Sequence, residues 1–78
     1  MRELTTQEQA DLDWAYGYKA PSQDQIEKYA AINTAAKEFE RVVIQTCPPS
    51  ADRTFATRQI RDARMTANRA IALHRESA

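Results

Sequence analysis

An all-helical chain, a short N-terminal helix followed by a long antiparallel helical hairpin, is the fold class this sequence predicts. Three observations predict it. Helix-capping signals precede three segments, apolar residues within them recur at three- and four-residue steps, and no alternating strand pattern interrupts them. Seventy-eight residues suit a single domain, 1–78, with little room for a large core.

The first helix is expected from about Thr6 to Ala15, within an N-terminal segment 1–16. Thr5 or Thr6 opens it, with Glu8 or Gln9 three residues on in a capping-box pattern. Gly17 ends it, because glycine tolerates the left-handed conformation at a helix exit. Ser22 caps the second helix, with Gln25 at the reciprocal position, and the helix runs to Thr46, about 36 Å at ~1.5 Å per residue. The stretch Cys47-Pro48-Pro49-Ser50 stops it, since neither proline donates a backbone hydrogen bond and Pro49 biases Pro48 away from helix. Ser50 caps the third helix, Asp52 suits its first turn, and it continues to about Arg75. Two long helices joined by a tight Pro-Pro turn make an antiparallel hairpin.

The apolar spacing says more than the fold class. On the third helix Ala56, Ile60, Ala63, Ala67, Ala70, Ile71 and His74 form one stripe of mostly small residues, which lets a partner helix approach closely. On the second, Ile26, Tyr29, Asn33, Ala36, Val43 and Ile44 share one side, and Ile32, Ala35, Phe39 and Val42 the adjoining side. Together they span roughly 200° of the circumference, where a ~100° stripe suffices for one neighbour. One hairpin partner cannot cover both, so the excess is expected to serve a homo-oligomer, with Leu12 and Trp14 of the first helix covering part of it.

Composition narrows the function. The single cysteine, Cys47, forbids an internal disulfide, and Cys47 with His74 cannot by themselves hold a metal. No apolar run approaches the ~20 residues of a membrane span, and no secretory leader pattern opens the chain, so a cytosolic location without membrane association is expected. Nucleophilic catalysis needs Ser or Cys beside a base, and the one histidine, His74, extends a packing stripe. Asp11 and Asp13 lie on different sides of a short helix, and Gly17 stands alone rather than in a phosphate loop. The chain is therefore not expected to be an enzyme or to need a cofactor.

Formal net charge is zero, but residues 1–40 carry −4 and residues 41–78 carry +4, with all seven basic residues of the second half arginine. The halves pair with each other, within or between copies, or the arginines await an anion whose geometry matches the guanidinium fork. A DNA-binding domain normally carries net positive charge, and here there is none to spare; no DNA partner is expected.

The stretch Tyr16-Gly17-Tyr18-Lys19 lies just before Ser22. A helix N-terminus presents unpaired N–H groups and a positive dipole end, which favour phosphate. Lys19 adds a cation, and a tyrosine ring offers a face for a nucleobase. These parts suit a small nucleotide. They equally suit a loop whose tyrosines close the end of a helical core.

From Tyr16 onward the chain resembles the small phage proteins that bear the anti-CBASS and anti-Thoeris helical hairpin domain. The resemblance rests on Tyr16-Gly17-Tyr18-Lys19-Ala20-Pro21, then Gln25, Tyr29, Ala36-Lys37, and Cys47-Pro48-Pro49-Ser50. It continues through Ala63-Arg64-Met65-Thr66-Ala67-Asn68-Arg69-Ala70-Ile71-Ala72, spanning about three quarters of the chain without gaps. The resemblance implies a homo-oligomeric sponge, typically a hexamer, in the host bacterial cytoplasm. Such a sponge sequesters cyclic di- or trinucleotide messengers, such as cyclic GMP–AMP, without cleaving them. It also implies sites between protomers, where Tyr18 and Lys19, with Tyr16, grip base and phosphate near Ser22. An arginine-bearing second pocket would transfer to Arg53, Arg58 or Arg61, although related sequences often place arginine straight after the Pro-Pro-Ser turn, where this chain has Ala51. The alternative is a structural or regulatory phage accessory hairpin that binds a protein partner and no nucleotide.

Overall fold

A computed structural model describes residues 1–74, and among them the order is three helices with no strand: α1 (Thr6–Tyr16), α2 (Gln23–Thr46) and α3 (Ala51–Ala72). Each begins at a hydroxyl. Thr5 Oγ1 accepts from the Glu8 amide while Glu8 reaches back to the Thr5 amide, and Ser22 and Gln25 repeat that reciprocal box. Ser50 accepts from the Arg53 amide at 3.1 Å. Such caps satisfy N–H groups that have no acceptor within the helix.

The helix exits are made differently from the sequence expectation. Gly17 is not left-handed: its φ of −71° and ψ of 148° are extended. What requires glycine there is space, since a Cβ would lie 2.8 Å from the Asp13 carbonyl oxygen. Cys47, ahead of Pro48, is extended at φ −94° and ψ 136°, which ends α2 as the residue before a proline should. The third helix ends at Ala72, short of the expected Arg75, which lies outside the described residues.

Without left-handed caps, side chains reach the last carbonyls. Lys19 Nζ donates to the Trp14 and Gly17 carbonyls at the end of α1. Arg53 donates across the turn to the Ile44 and Cys47 carbonyls, at 3.4 and 3.3 Å. Gln25 and Trp14 donate to the Ile71 and Leu73 carbonyls at the end of α3, at 3.3 and 3.0 Å. Cations at helix C-termini also oppose the negative end of the helix dipole.

Close helix-on-helix packing joins α2 to α3, and α1 reaches the hairpin through the Trp14 indole at the end of α3. Tyr29, Ala36 and Val43 form the partly or fully buried side of α2, while Ile60 is the buried point of α3. Arg61 clamps the hairpin by a two-pronged ion pair to Glu40, at 2.9 and 2.8 Å, which holds the Glu40 carboxyl below the usual carboxylate range. Of the apolar side chains described, only Val43 and Ile60 are buried, each at 9% exposure. The adjoining side of α2 stays open, with Phe39 and Val42 exposed, and Met65 and Phe55 are exposed on α3. The expectation that α1 would shelter this surface is not met: Leu12 is itself exposed, and Trp14 goes to the end of α3.

Two magnitudes define the result. The radius of gyration is 17.4 Å, where a compact chain of this length gives ~11.5 Å. The accessible surface is 6631 Å², against ~4,800 Å² for a folded monomer of this mass. The excess, about 1,800 Å², is roughly twice the ~800 Å² that a standard pairwise interface removes from one partner.

Candidate functional site

The loop from Gly17 to Ser22 hangs between the end of α1 and the start of α2. Tyr16, the last residue of α1, and Tyr18 leave their rings open to solvent, at 82% and 92% exposure. Lys19 is half-buried and turned back toward α1. Its ammonium lies 4.6 Å from the centre of the Trp14 ring while donating to the Trp14 and Gly17 carbonyls. Both expected uses of the loop thus meet in one place: the tyrosines are available faces, and the lysine is occupied as the cap of α1.

At the start of α2, the capping box uses Ser22 Oγ and the Gln25 amide, so the amides of Gln23 and Asp24 remain to face an incoming anion. Asp24 is paired with Lys28 at 3.0 Å, and their partly exposed pair brings one charge of each sign to the rim. Beside it, a groove of about 580 Å³ runs between Ser22, Gln25 and Lys28 at the start of α2 and Ile71 and His74 at the end of α3.

The expected arginines sit elsewhere. Arg53 lies at the Pro-Pro turn, and α2 separates that turn from Ser22 by its full 24 residues, ~36 Å. One chain therefore does not bring Tyr18 and Lys19 together with Arg53, Arg58 or Arg61. Arg53 caps α2, Arg61 is held by Glu40, and Arg58 is exposed with no charged partner among the described residues.

Charged residues that sequence reasoning did not single out as a site, Lys37, Glu40, Arg41 and Arg64, and the apolar residues it assigned to packing and assembly line the hairpin's other surfaces. Lys37, Arg41, Arg61 and Arg64 surround Asn33 and Glu40 in a groove of about 640 Å³. An apolar groove of about 460 Å³ lies on another side, lined by Ile32, Phe39, Val43, Ile60 and Ala63 among others. The signal for both was present: a turn at Pro48-Pro49 fixes the register and places Glu40 opposite Arg61.

Compared with protein-family models, residues 8–72 match the Acb2/Tad1 hairpin domain. The chain belongs to that hairpin-domain family. The match covers α2, the Pro-Pro turn, α3 and all but the first two residues of α1. Membership supports, in broad terms, the anti-defence sponge role that the sequence resemblance implies. No curated protein and no solved structure gives a match. In this hairpin-domain protein, no helix of the described residues is long and apolar enough to cross a membrane.

Proposed function

We propose that this protein is a phage anti-defence sponge that assembles from identical copies and captures cyclic oligonucleotide messengers, cyclic di- or trinucleotides, between them without cleaving them. The observation that carries this reading is the family match across residues 8–72. The geometry supports it in three ways. Tyr18 presents an uncovered ring face, on which a base can stack for ~1–3 kcal/mol. Lys19 and the free amides at the start of α2 supply donors for a phosphate, and Tyr16 adds a second ring nearby. The open apolar side of α2 gives a neighbouring copy a surface on which to close the site.

Protection works by mass action. A binder present above its dissociation constant keeps free messenger below the threshold of its effector. At the turn end, Ser50 with Arg53 and Arg58 forms the second anion-binding region of the proposal, and Arg61 joins it only by leaving Glu40. The structural or regulatory accessory reading is favoured by one observation, the engagement of Lys19 as a helix cap.

A thermal-shift panel of cyclic di- and trinucleotides separates the two readings. The sponge reading expects a stabilised protein, intact nucleotide recovered after denaturation, and loss of cyclic dinucleotide binding in Lys19→Ala with the assembly unchanged. A panel with no shift refutes the function. Full-strength binding by Lys19→Ala refutes the site and leaves the function standing.

A further inference from the structure

Trp14 is the one tryptophan of the chain, and two of its contacts converge on the candidate site. Its indole N–H donates to the Leu73 carbonyl at 3.0 Å, which pins the ring to the end of α3. On that ring rests the Lys19 ammonium, 4.6 Å from the centroid, while the same ammonium donates to the Trp14 and Gly17 carbonyls. An ammonium has three N–H groups and no acceptor capacity. Two carbonyls and an aromatic face therefore claim most of what Lys19 has to offer.

We infer that Trp14 is a built-in competitor for Lys19, holding the ammonium against α1 until an anion takes it, and so sets the affinity and charge selectivity of the binding site. The inference rests on the reading of Lys19 as the phosphate-binding cation. It follows from the strength order of the rival contacts. Neutral carbonyls and a ring face hold a cation less strongly than a charge-assisted bond to a phosphate oxygen. A phosphodiester displaces them; an uncharged nucleoside, which offers the loop only stacking, does not. The movement required is that of the Lys19 side chain, which lies on the loop between α1 and α2, and the Trp14–Leu73 bond can stay in place. Release also uncovers the Trp14 ring, so the tryptophan emission reports the event.

The test titrates full-length wild type, Trp14→Leu, Trp14→Phe and Lys19→Met with cyclic GMP–AMP by calorimetry, following tryptophan emission in wild type and Lys19→Met. Lys19→Met is expected to lose binding. Trp14→Leu is expected to bind about two- to fivefold more tightly, the worth of a cation–aromatic contact at a partly exposed site. Trp14→Phe, which keeps a weaker ring face, falls between it and wild type. At saturation the wild-type emission moves toward that of ligand-free Lys19→Met. If both Trp14 variants bind no better than wild type while Lys19→Met loses binding, the inference is overturned and the sponge reading survives. If wild type binds no member of the nucleotide panel, both fall together. Should Trp14→Leu lose helicity by circular dichroism, the wild-type emission decides: a spectrum unmoved at saturation overturns the inference.

Discussion

Replacing Phe39 with aspartate tests whether the open side of α2 is where copies meet. Phe39 is 59% exposed in the single chain and stands beside Ile32 and Val43 on the apolar groove. A phenylalanine offers ~200 Å², so the uncovered part is about 120 Å², worth ~3 kcal/mol per protomer at ~25 cal/mol per Å² if a neighbour covers it. Loss of that term alone weakens association about a hundredfold, and a carboxylate in an apolar contact adds a desolvation cost. Within the monomer, the same change touches a half-open position and leaves the Glu40–Arg61 clamp in place. Sedimentation velocity across the micromolar range, with circular dichroism as a fold check, is the assay. Wild type should sediment as a species several times heavier than 8.9 kDa, and Phe39→Asp should dissociate where wild type does not. A monomeric wild type, or a helical Phe39→Asp that sediments as the wild-type assembly, refutes the reasoning.

Two further outcomes follow from the first helix. Glu8 accepts from Arg2 at 2.6 Å through both carboxylate oxygens and from the Thr5 amide at 3.0 Å, and its carboxyl is lowered from 4.5 to about 2, chiefly by Arg2. A carboxyl depressed on folding stabilises above its unfolded pKa, so the start of α1 should fray as pH falls from about 4.5 toward about 2. Amide shifts of residues 5–9 should follow this low midpoint, and Glu8→Gln should abolish it; an ordinary carboxyl midpoint contradicts the capping geometry. In Gly17→Ala, the extended backbone suits alanine, which ordinarily gains ~0.4–1 kcal/mol through the unfolded chain. The 2.8 Å approach to a backbone oxygen opposes this, so a net loss of about 1 kcal/mol is expected. Thermal melts check the sign, and a stabilised Gly17→Ala would show that the end of α1 yields freely.

The parts of the fold legible in the sequence are those set by neighbours in the chain. Thr5 or Thr6, Ser22 and Ser50 announced three helix starts because a cap joins residues three apart, with Thr5 the cap the structure uses, and Pro48-Pro49 announced the turn because proline acts on its own backbone and the residue before it. The excess apolar circumference of α2 was legible for the same reason, since helical periodicity is local. Gly17 was misread because glycine relieves two different constraints, a left-handed backbone and a crowded Cβ, and only coordinates separate them. Contacts that join distant positions, Trp14 to Leu73 and Gln25 to Ile71, depend on the register of the whole hairpin and left no local mark.

Lys19 shows why the candidate site was harder to read than the fold. Only a short loop separates α1 from α2, so a cation three residues before the cap Ser22 is also three residues past the end of α1. The same position caps the carbonyls at the C-terminus of α1 and, in the proposed reading, would pair with a phosphate held at the N-terminus of α2; in either use the cation answers negative charge. Spacing cannot choose between them. The free chain takes the second use, with Trp14 adding its ring face. In the proposed reading an anion therefore competes with a helix end, and binding and the position of the Lys19 ammonium become two readings of one equilibrium.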